Sequence, residues 1–397
     1  MHTLFYPMKT DTLYKQCSRC VLDTTSSTIS FDEKGVCNYC HAFDKQMDKF
    51  INIDNKIKQN QLEQIVSYVK KVGKNNKYDC ILGLSGGVDS TYLAYLAIKL
   101  GLRPMAVHFD NGWNTEQAVK NIENIVSKLK LDLNTYVIDW HEFKEVQLAY
   151  LKASVVDIEV PTDQLVFAAL NKIAKQNNIK YILSGYNIVT EYGLPTDWVF
   201  KNKADQTNLL NIYKQFGKGK KLTTIPKFDF YTRFFYTKII GIQTIGLLNY
   251  INYNKEEIKK LITSELGWQD FGGKHYESIF TRFYQGYILP KKFNIDKRKA
   301  HLSALICSGQ IAKEQALAEL KDQPYDVKLQ EEDKQFVIKK FDLTSEEFEN
   351  IMKAPRVEHE FYGTEDDNKK MHKLFANLFS FPVYLINFYR RVKNKFK

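Results

Sequence analysis

Six consecutive residues, Ser85-Gly86-Gly87-Val88-Asp89-Ser90, follow the apolar run Cys80-Ile81-Leu82-Gly83-Leu84 and open a helical pattern. At such a junction glycines let backbone N–H groups close around an anion at the positive end of the helix dipole, so the segment reads as a phosphate cradle. Ser85 and Ser90 can donate hydroxyl hydrogen bonds to phosphate oxygens, and Asp89 is placed to help hold a magnesium ion bridging those oxygens. The loop lacks the lysine of a Walker A loop and the third glycine of a dinucleotide fingerprint. A second cluster lies near the N-terminus, where Cys17-x-x-Cys20 and Cys37-x-x-Cys40 are separated by sixteen residues. That spacing suits two thiolate-bearing turns folding onto one tetrahedral, structural zinc ion, with an iron–sulfur cluster or a pair of disulfides as the alternatives. Cys80 and Cys307 fall in apolar surroundings and read as buried small residues rather than nucleophiles.

These groups need elements to position them. From Tyr78 onward short apolar runs alternate with helical patterns, the signature of a doubly wound α/β domain with a parallel sheet. Strands are expected at 80–84, 104–109, 135–138 and 181–183, and helices at 90–100, 116–129 and 164–176. Ligands in open α/β sheets bind beyond the carboxyl ends of the strands. His108, Asp110 and Asn111 follow the second strand, while Gly185, Tyr186, Asn187 and Glu191 follow the fourth. Each could equally be a cap or turn residue, and Thr162-Asp163 reads first as a helix cap. Before the sheet, Leu62, Ile65, Val66 and Val69 fall at helical spacing. After it, the stretch holding Lys201, Lys203, Lys214, Lys218, Lys220 and Lys221 is irregular, either a substrate loop or solvated surface. Residues 246–251 look like a strand, and Asn254 with Glu257 reads as a capping box opening a helix lined by Ile258, Leu261, Ile262 and Leu266. A basic cluster through Lys274, His275, Tyr276, Arg282, Tyr284, Lys291, Lys292, Arg298, Lys299 and His301 sets cations among tyrosines, which suits a phosphorylated ligand with a ring system. A solvated basic face is the plain alternative.

The motif S-G-G-x-D-S after a strand resembles the PP-loop of ATP pyrophosphatases, which include GMP synthetase, asparagine synthetase and tRNA-thiolating enzymes and cleave ATP between its α and β phosphates. A closer resemblance rests on three segments in order: Cys17-Ser18-Arg19-Cys20-Val21-Leu22-Asp23-Thr24, the 85–90 loop, and Gly273-Lys274-His275-Tyr276-Glu277-Ser278 through Lys297-Arg298-Lys299-Ala300-His301-Leu302-Ser303. Over residues 15–320 the chain is similar to the N-acetyl sugar amidotransferases of bacterial surface-polysaccharide (O-antigen) pathways. The resemblance implies that ATP activates the acetamido group of a nucleotide-activated N-acetyl sugar, which ammonia converts to an acetamidino group. It also implies a separate glutaminase and a cyclase-like subunit, resembling those of histidine biosynthesis, as the ammonia source. On this reading Ser85, Gly86, Gly87, Asp89, Ser90, His108, Asp110 and Gly185 would bind ATP, with magnesium at Asp89. Asn187, Glu191, His275, Tyr276, Arg282, Lys292, Lys299 and His301 would bind the sugar substrate, and Asp89, Lys291 and Arg298 would serve catalysis. The main rival is a tRNA-modifying PP-loop enzyme that adenylates a base and inserts sulfur; a non-enzymatic zinc-ribbon scaffold is the third reading.

The chain has 397 residues, a formal charge of +11 and an aromatic content of 14%. The positive balance favours anionic partners, and the resemblance selects nucleotides over nucleic acid. With no signal-like N-terminus and no apolar run of about 18 residues, the expected location is cytoplasmic. Expected parts are a lead at 1–16, a zinc ribbon at 17–45, a helical linker at 46–76, the PP-loop domain at 77–200, a substrate-binding region at 201–320 and a helical region with a basic tail at 321–397. The aromatic stretch 375–388, followed by Arg390, Arg391, Lys393, Lys395 and Lys397, suits either a packed terminal helix or a peripheral membrane contact.

Overall fold

The computed structural model describes residues 13–379. Antiparallel bridges between Gln16 and Asp23 and between Phe31 and Cys37 close the two cysteine turns, and the fourth cysteine, Cys40, lies in the first turn of α1 (Asn38–Phe50). Asp54 then caps α2 (Asn55–Gly73), which turns Leu62, Val66 and Val69 inward as their spacing predicts.

Five parallel strands follow with their helices: β1 (Cys80–Gly83), α3 (Val88–Lys99), β2 (Pro104–Asp110), α4 (Glu116–Leu129), β3 (Asp132–Val137), α5 (Trp140–Ala153), α6 (Val160–Gln176), β4 (Tyr181–Leu183), α7 (Ile188–Glu191), α8 (Gln206–Phe216), α9 (Phe230–Phe234) and β5 (Gln243–Ile245). The order across the sheet is β3-β2-β1-β4-β5. Because successive strand side chains point to opposite faces, Cys80 and Leu82 join Leu93, Ala97 and Ile122 of α3 and α4 on one face. Ile81 joins Leu170 and Ile173 of α6 on the other. The strand order reverses between β1 and β4, so the crevice for a ligand opens where β1 hands over to α3.

Several expectations change. Residues 247–250 form a 3-10 turn with Leu247 and Leu248 buried, and the strand is β5 just before it; a short apolar run does not distinguish the two. Helix α6 begins at Val160, so Thr162 and Asp163 lie inside its first turn instead of capping it. The lysine-rich stretch contains α8, capped by Asp205, and α5, capped by Asp139, carries no signal that periodicity alone picked out.

Beyond the sheet come α10 (Lys255–Leu266), capped by Asn254 as predicted, α11 (Ile279–Phe283), α12 (Leu289–Phe293), α13 (Arg298–Cys307), α14 (Lys313–Glu319), α15 (Val327–Lys340), α16 (Ser345–Lys353) and α17 (Lys369–Leu378). Val337, Phe341, Phe348 and Tyr362 enter the same core as Trp113, Phe143, Phe280 and the four module cysteines. No described helix is long and apolar enough to cross a membrane. The aromatic stretch beyond Phe379 and the basic tail lie outside the described residues.

Candidate active site

The 85–90 loop is pinned from three sides. Gly86 has φ 82°, and a Cβ there would stand 2.9 Å from the Ala118 carbonyl oxygen, so only glycine makes this turn without strain. Trp268 Nε1 donates to the Gly86 carbonyl at 2.8 Å, and Asn121 Nδ2 reaches it from α4 at 3.4 Å. Inside the loop the Ser85 and Gly87 amides donate to Ser90 Oγ and Ser85 Oγ, each at 3.2 Å, so both hydroxyls gather at the N-terminus of α3. Asp89 follows in the first turn of α3, where its Oδ1 accepts from Asn187 Nδ2 at 3.1 Å and from the Tyr253 hydroxyl. Burial pushes the Asp89 carboxyl above its ordinary value, with Lys274 opposing and Glu191 adding.

Two cavities meet at this loop. The larger, about 650 Å³, runs from Ser85, Asp89 and Gly185 across to Lys255, Lys274, Arg298 and His301. The smaller, about 320 Å³, lies between the carboxyl ends of β1 and β2 and the start of α6. Ser85, His275 and Glu277 line both. Their dividing wall is held by backbone bonds: Thr115 N donates to Glu277 O at 2.9 Å, and Ile279 N to Trp113 O at 2.8 Å. A Cβ on Gly87 would stand 3.2 Å from Glu277 Oε1, so the wall packs directly onto the loop.

The larger cleft sets Lys255, Lys259, Lys274, Lys297 and Arg298 among carboxylates that include Asp89, Glu191, Asp270 and Glu277. Lys274 pairs with Glu191 at 3.1 Å. Burial, then the neighbouring Lys274 and Lys259, hold Lys255 below its ordinary value. Burial and the same lysine field hold His301 well below its own, and its Nε2 is buried without a hydrogen-bond partner among the described residues. His301 is therefore an uncharged imidazole at neutral pH. His275 takes a left-handed backbone (φ 63°), with Nδ1 3.7 Å from Glu277 Oε1. Burial works to raise the Glu277 carboxyl, but His275, a backbone hydrogen bond and Lys274 together hold the group below its ordinary value. In the smaller cavity His108 Nδ1 contacts the Leu84 carbonyl at 3.0 Å and Nε2 contacts Asn114 Nδ2 at 3.0 Å. Burial, helped by Asp163, lifts Glu159 to about 7 against a hydrogen bond from Thr281.

Two family models match the chain. Residues 59–160 match NAD synthase, and residues 277–376 match the C-terminal domain of LPS biosynthesis protein WbpG-like proteins. The two matches, each over well under half of the chain, support a WbpG-type member of the PP-loop superfamily. Its curated relatives include a GMP synthase [glutamine-hydrolyzing] from Thermosipho africanus, 29% identical over 36% of this chain and 29% of that one. A 7-cyano-7-deazaguanine synthase from Nautilia profundicola is 37% identical over 19% of this chain and 35% of its own length. The tRNA-specific 2-thiouridylase MnmA of Vesicomyosocius okutanii is 29% identical over 39% of this chain and 46% of its own. The chain therefore spans less than half the length of these relatives. The WbpG-like match extends to residue 376, beyond the 15–320 range of the motif resemblance.

Around the PP-loop the predicted residues divide. Ser85, Gly87, Asp89, Ser90, Gly185, Glu191, His275, Tyr276, Arg298 and His301 line the larger cleft, and His108 lines the smaller. Gly86 and Asn187 stand behind them as supports. Asp110, Arg282, Lys291, Lys292 and Lys299 line neither cavity. Asp110 accepts from Gly112 N at 2.9 Å in its own turn. Arg282 is paired with Asp333 at 2.8 Å, and Lys299 with Asp23 at 2.5 Å. Lys291 is exposed beside the Tyr287 ring, and Lys292 donates to the Ile351 carbonyl. Helical geometry explains the split: residues three or four apart share a face and adjacent ones do not. On α13, Arg298, His301, Leu302 and Leu305 face the cleft. Lys299, Ser303 and Cys307 face the cysteine module, where they meet Asp23, the Val21 amide and Cys40. Tyr253, Lys255, Lys259 and Trp268 were missed by sequence reasoning because none belongs to a motif, although the Asn254 cap marks the turn that carries Lys255; Lys297 opens the 297–303 motif but was not assigned a site role.

The four module cysteines are buried, with Sγ atoms all within 4.8 Å of one another. The amides of Arg19, Cys20 and Cys37 donate to Cys17 Sγ at 3.4, 3.4 and 3.2 Å. Four convergent sulfurs with N–H donors to one of them fit a tetrahedral structural zinc. Cys307 Sγ lies 3.6 Å from Cys40 Sγ, so it is a neighbour of the module rather than an isolated core residue.

Proposed function

We propose that the protein is an ATP-dependent, AMP-forming amidotransferase that converts the acetamido group of a nucleotide-activated N-acetyl sugar into an acetamidino group. The observation that carries this reading is the meeting of the PP-loop with the 273–278 and 298–301 segments on one cleft, where Glu277 packs against Gly87 and Lys255, Lys274 and Arg298 face the loop.

An amide carbon resists ammonia because its oxygen is a poor leaving group. In the proposed reaction the acetamido oxygen attacks the α-phosphorus of ATP, the bond to the β-phosphate breaks, and pyrophosphate leaves. The loop amides, Ser85, Ser90 and the cleft lysines are arranged to hold that leaving charge. Ammonia then adds to the O-adenylyl imidate carbon, AMP departs, and a proton is given up. Uncharged His301, whose Nε2 has no partner among the described residues, is the proton acceptor within the cleft. The smaller cavity beside His108 would take the adenosine. Magnesium carried with ATP would be held at Asp89, where one carboxylate suffices because phosphates and waters supply the other oxygens; when bound it neutralises phosphate charge.

Cysteine placement supports an external ammonia source and disfavours sulfur insertion. Four of the six cysteines form the module, Cys80 lies in β1, Cys307 faces the module, and no cysteine lines either cavity among the described residues. No cysteine among the described residues is placed as a glutaminase or thiolation nucleophile, and the family resemblance implies separate glutaminase and cyclase-like subunits as the ammonia source.

Incubation with ATP, magnesium, ammonium and a panel of nucleotide-activated N-acetyl sugars is expected to yield AMP, pyrophosphate and a product lighter by the difference between O and NH. AMP formation that depends on tRNA and ignores every sugar would overturn the assignment.

A further inference from the structure

Helix α17 has no buried residue. Its apolar positions fall at 371, 374, 375, 378 and 379, the spacing of a single helical face. Phe375 and Phe379 form the inner edge of that face: Phe375 meets Tyr231 at 4.8 Å and Phe234 at 5.3 Å, and Phe379 meets Phe234 at 6.3 Å. His372 stacks on Phe230 at 4.1 Å, so the helix is seated on α9 in one orientation. The outer edge has no cover among the described residues. Met371, Leu374 and Leu378 are 55%, 61% and 67% exposed, and Tyr231 and Phe235 extend the apolar surface beside them. Lys369, Lys370 and Lys373 lie on the opposite, polar side of the helix. From Lys369 to Lys397 the chain carries eight lysines and arginines and not one aspartate or glutamate.

An exposed apolar stripe on a lysine-bearing helix, in a segment with cations and no anions, matches one kind of partner. We propose that α17 and the adjoining α9 edge form a membrane-docking surface that lays Met371, Leu374 and Leu378 into the headgroup region of an anionic lipid leaflet. Charge selects the occupant. A second copy of this positively charged chain would bring like charge against like, whereas phospholipid headgroups supply the missing anions. Read from the sequence alone, the residues beyond Phe379 add aromatics and five more cations. This inference does not depend on which reaction the cleft performs.

Vesicle co-sedimentation of the full chain tests it, using phosphatidylcholine alone and phosphatidylcholine mixed with phosphatidylglycerol. Binding is expected on the anionic vesicles, with at least about a tenfold loss on neutral vesicles or in high salt. Leu374→Glu together with Leu378→Glu is expected to weaken anionic-vesicle binding about tenfold or more while circular dichroism and ATP binding stay unchanged. Three results would overturn the proposal. These are no binding of the full chain to anionic vesicles, vesicle binding by the double variant equal to the parent's, and a parent dimer that the double variant abolishes with no vesicle binding.

Discussion

Asp89 combines two roles that a careless substitution would mix. Its carboxylate faces the cleft, and the same Oδ1 accepts from Asn187 and Tyr253. Alanine would strand both buried donors at a cost of about 1–3 kcal/mol each, whereas asparagine keeps an acceptor and removes only the charge. Asp89→Asn is therefore expected to cut AMP formation about 10²- to 10³-fold with the thermal unfolding midpoint nearly unchanged. Unchanged turnover would remove Asp89 from the reaction. Residues of this kind were legible in the sequence because the loop is contiguous: strand, glycines, two serines and a carboxylate fix one another's positions by spacing alone. The basic cluster was not. Arg298 and Lys299 are adjacent in the chain yet face a cleft and a cysteine module, respectively, and composition does not record which face of a helix meets which neighbour.

At the scale of elements, α13 links the cysteine module to the cleft. Lys299 pairs with Asp23, Ser303 Oγ accepts from Val21 N at 3.2 Å, and Lys313 Nζ, just beyond the helix, donates to the Cys17 carbonyl at 2.6 Å. If the cysteine module holds zinc as its geometry fits, a strong chelator or Cys17→Ser should lower the unfolding midpoint and raise KM for the proposed sugar substrate more than KM for ATP, since the PP-loop rests on β1 and α4 instead. Metal analysis alongside steady-state kinetics checks this, and equal rises in both constants would deny α13 its linking role. Helix α5 offers a pH test. Burial pushes Glu142 up, but hydrogen bonds from the Thr223 and Thr224 amides and hydroxyls outweigh it and hold the carboxyl at about 2. A carboxyl depressed on folding stabilises the native state above its ordinary value of 4.5 and loses that contribution as the pH falls toward 2. Glu142→Gln should therefore lower the midpoint at neutral pH, and its gap from the parent should narrow steadily as the pH is taken through that window. Neither α5 nor α8 was foreseen: α5 is so widely buried that its amphipathic period is blurred, and lysines hid α8.

Across the whole molecule, the helices after residue 320 are part of the central core. Phe341 and Phe348 share it with Trp113 and Phe280, while Arg282 Nε and Nη2 bind Asp333 of α15, each at 2.8 Å. Arg282→Ala leaves a buried carboxylate unpaired and should cost about 3–5 kcal/mol in denaturant unfolding, with substrate KM unaffected at a permissive temperature. A selective rise in KM with normal stability would return Arg282 to the binding residues. A chain ended at residue 320 should likewise fail to give a cooperative unfolding transition, because it exposes the apolar surface that α15 and α16 cover. The sheet order follows from alternating strand and helix patterns read locally. The closing of the C-terminal helices over Trp113 depends on contacts more than 200 positions apart, which no local pattern encodes.

The two stripes of α13 also bear on engineering. A helix packed on one side against the PP-loop cleft and on the other against the cysteine module cannot be transplanted alone. Chimeras that exchange residues 298–307 between related proteins should fold and function only when the donor's cysteine module travels with the helix, so the two distant segments form one exchangeable unit.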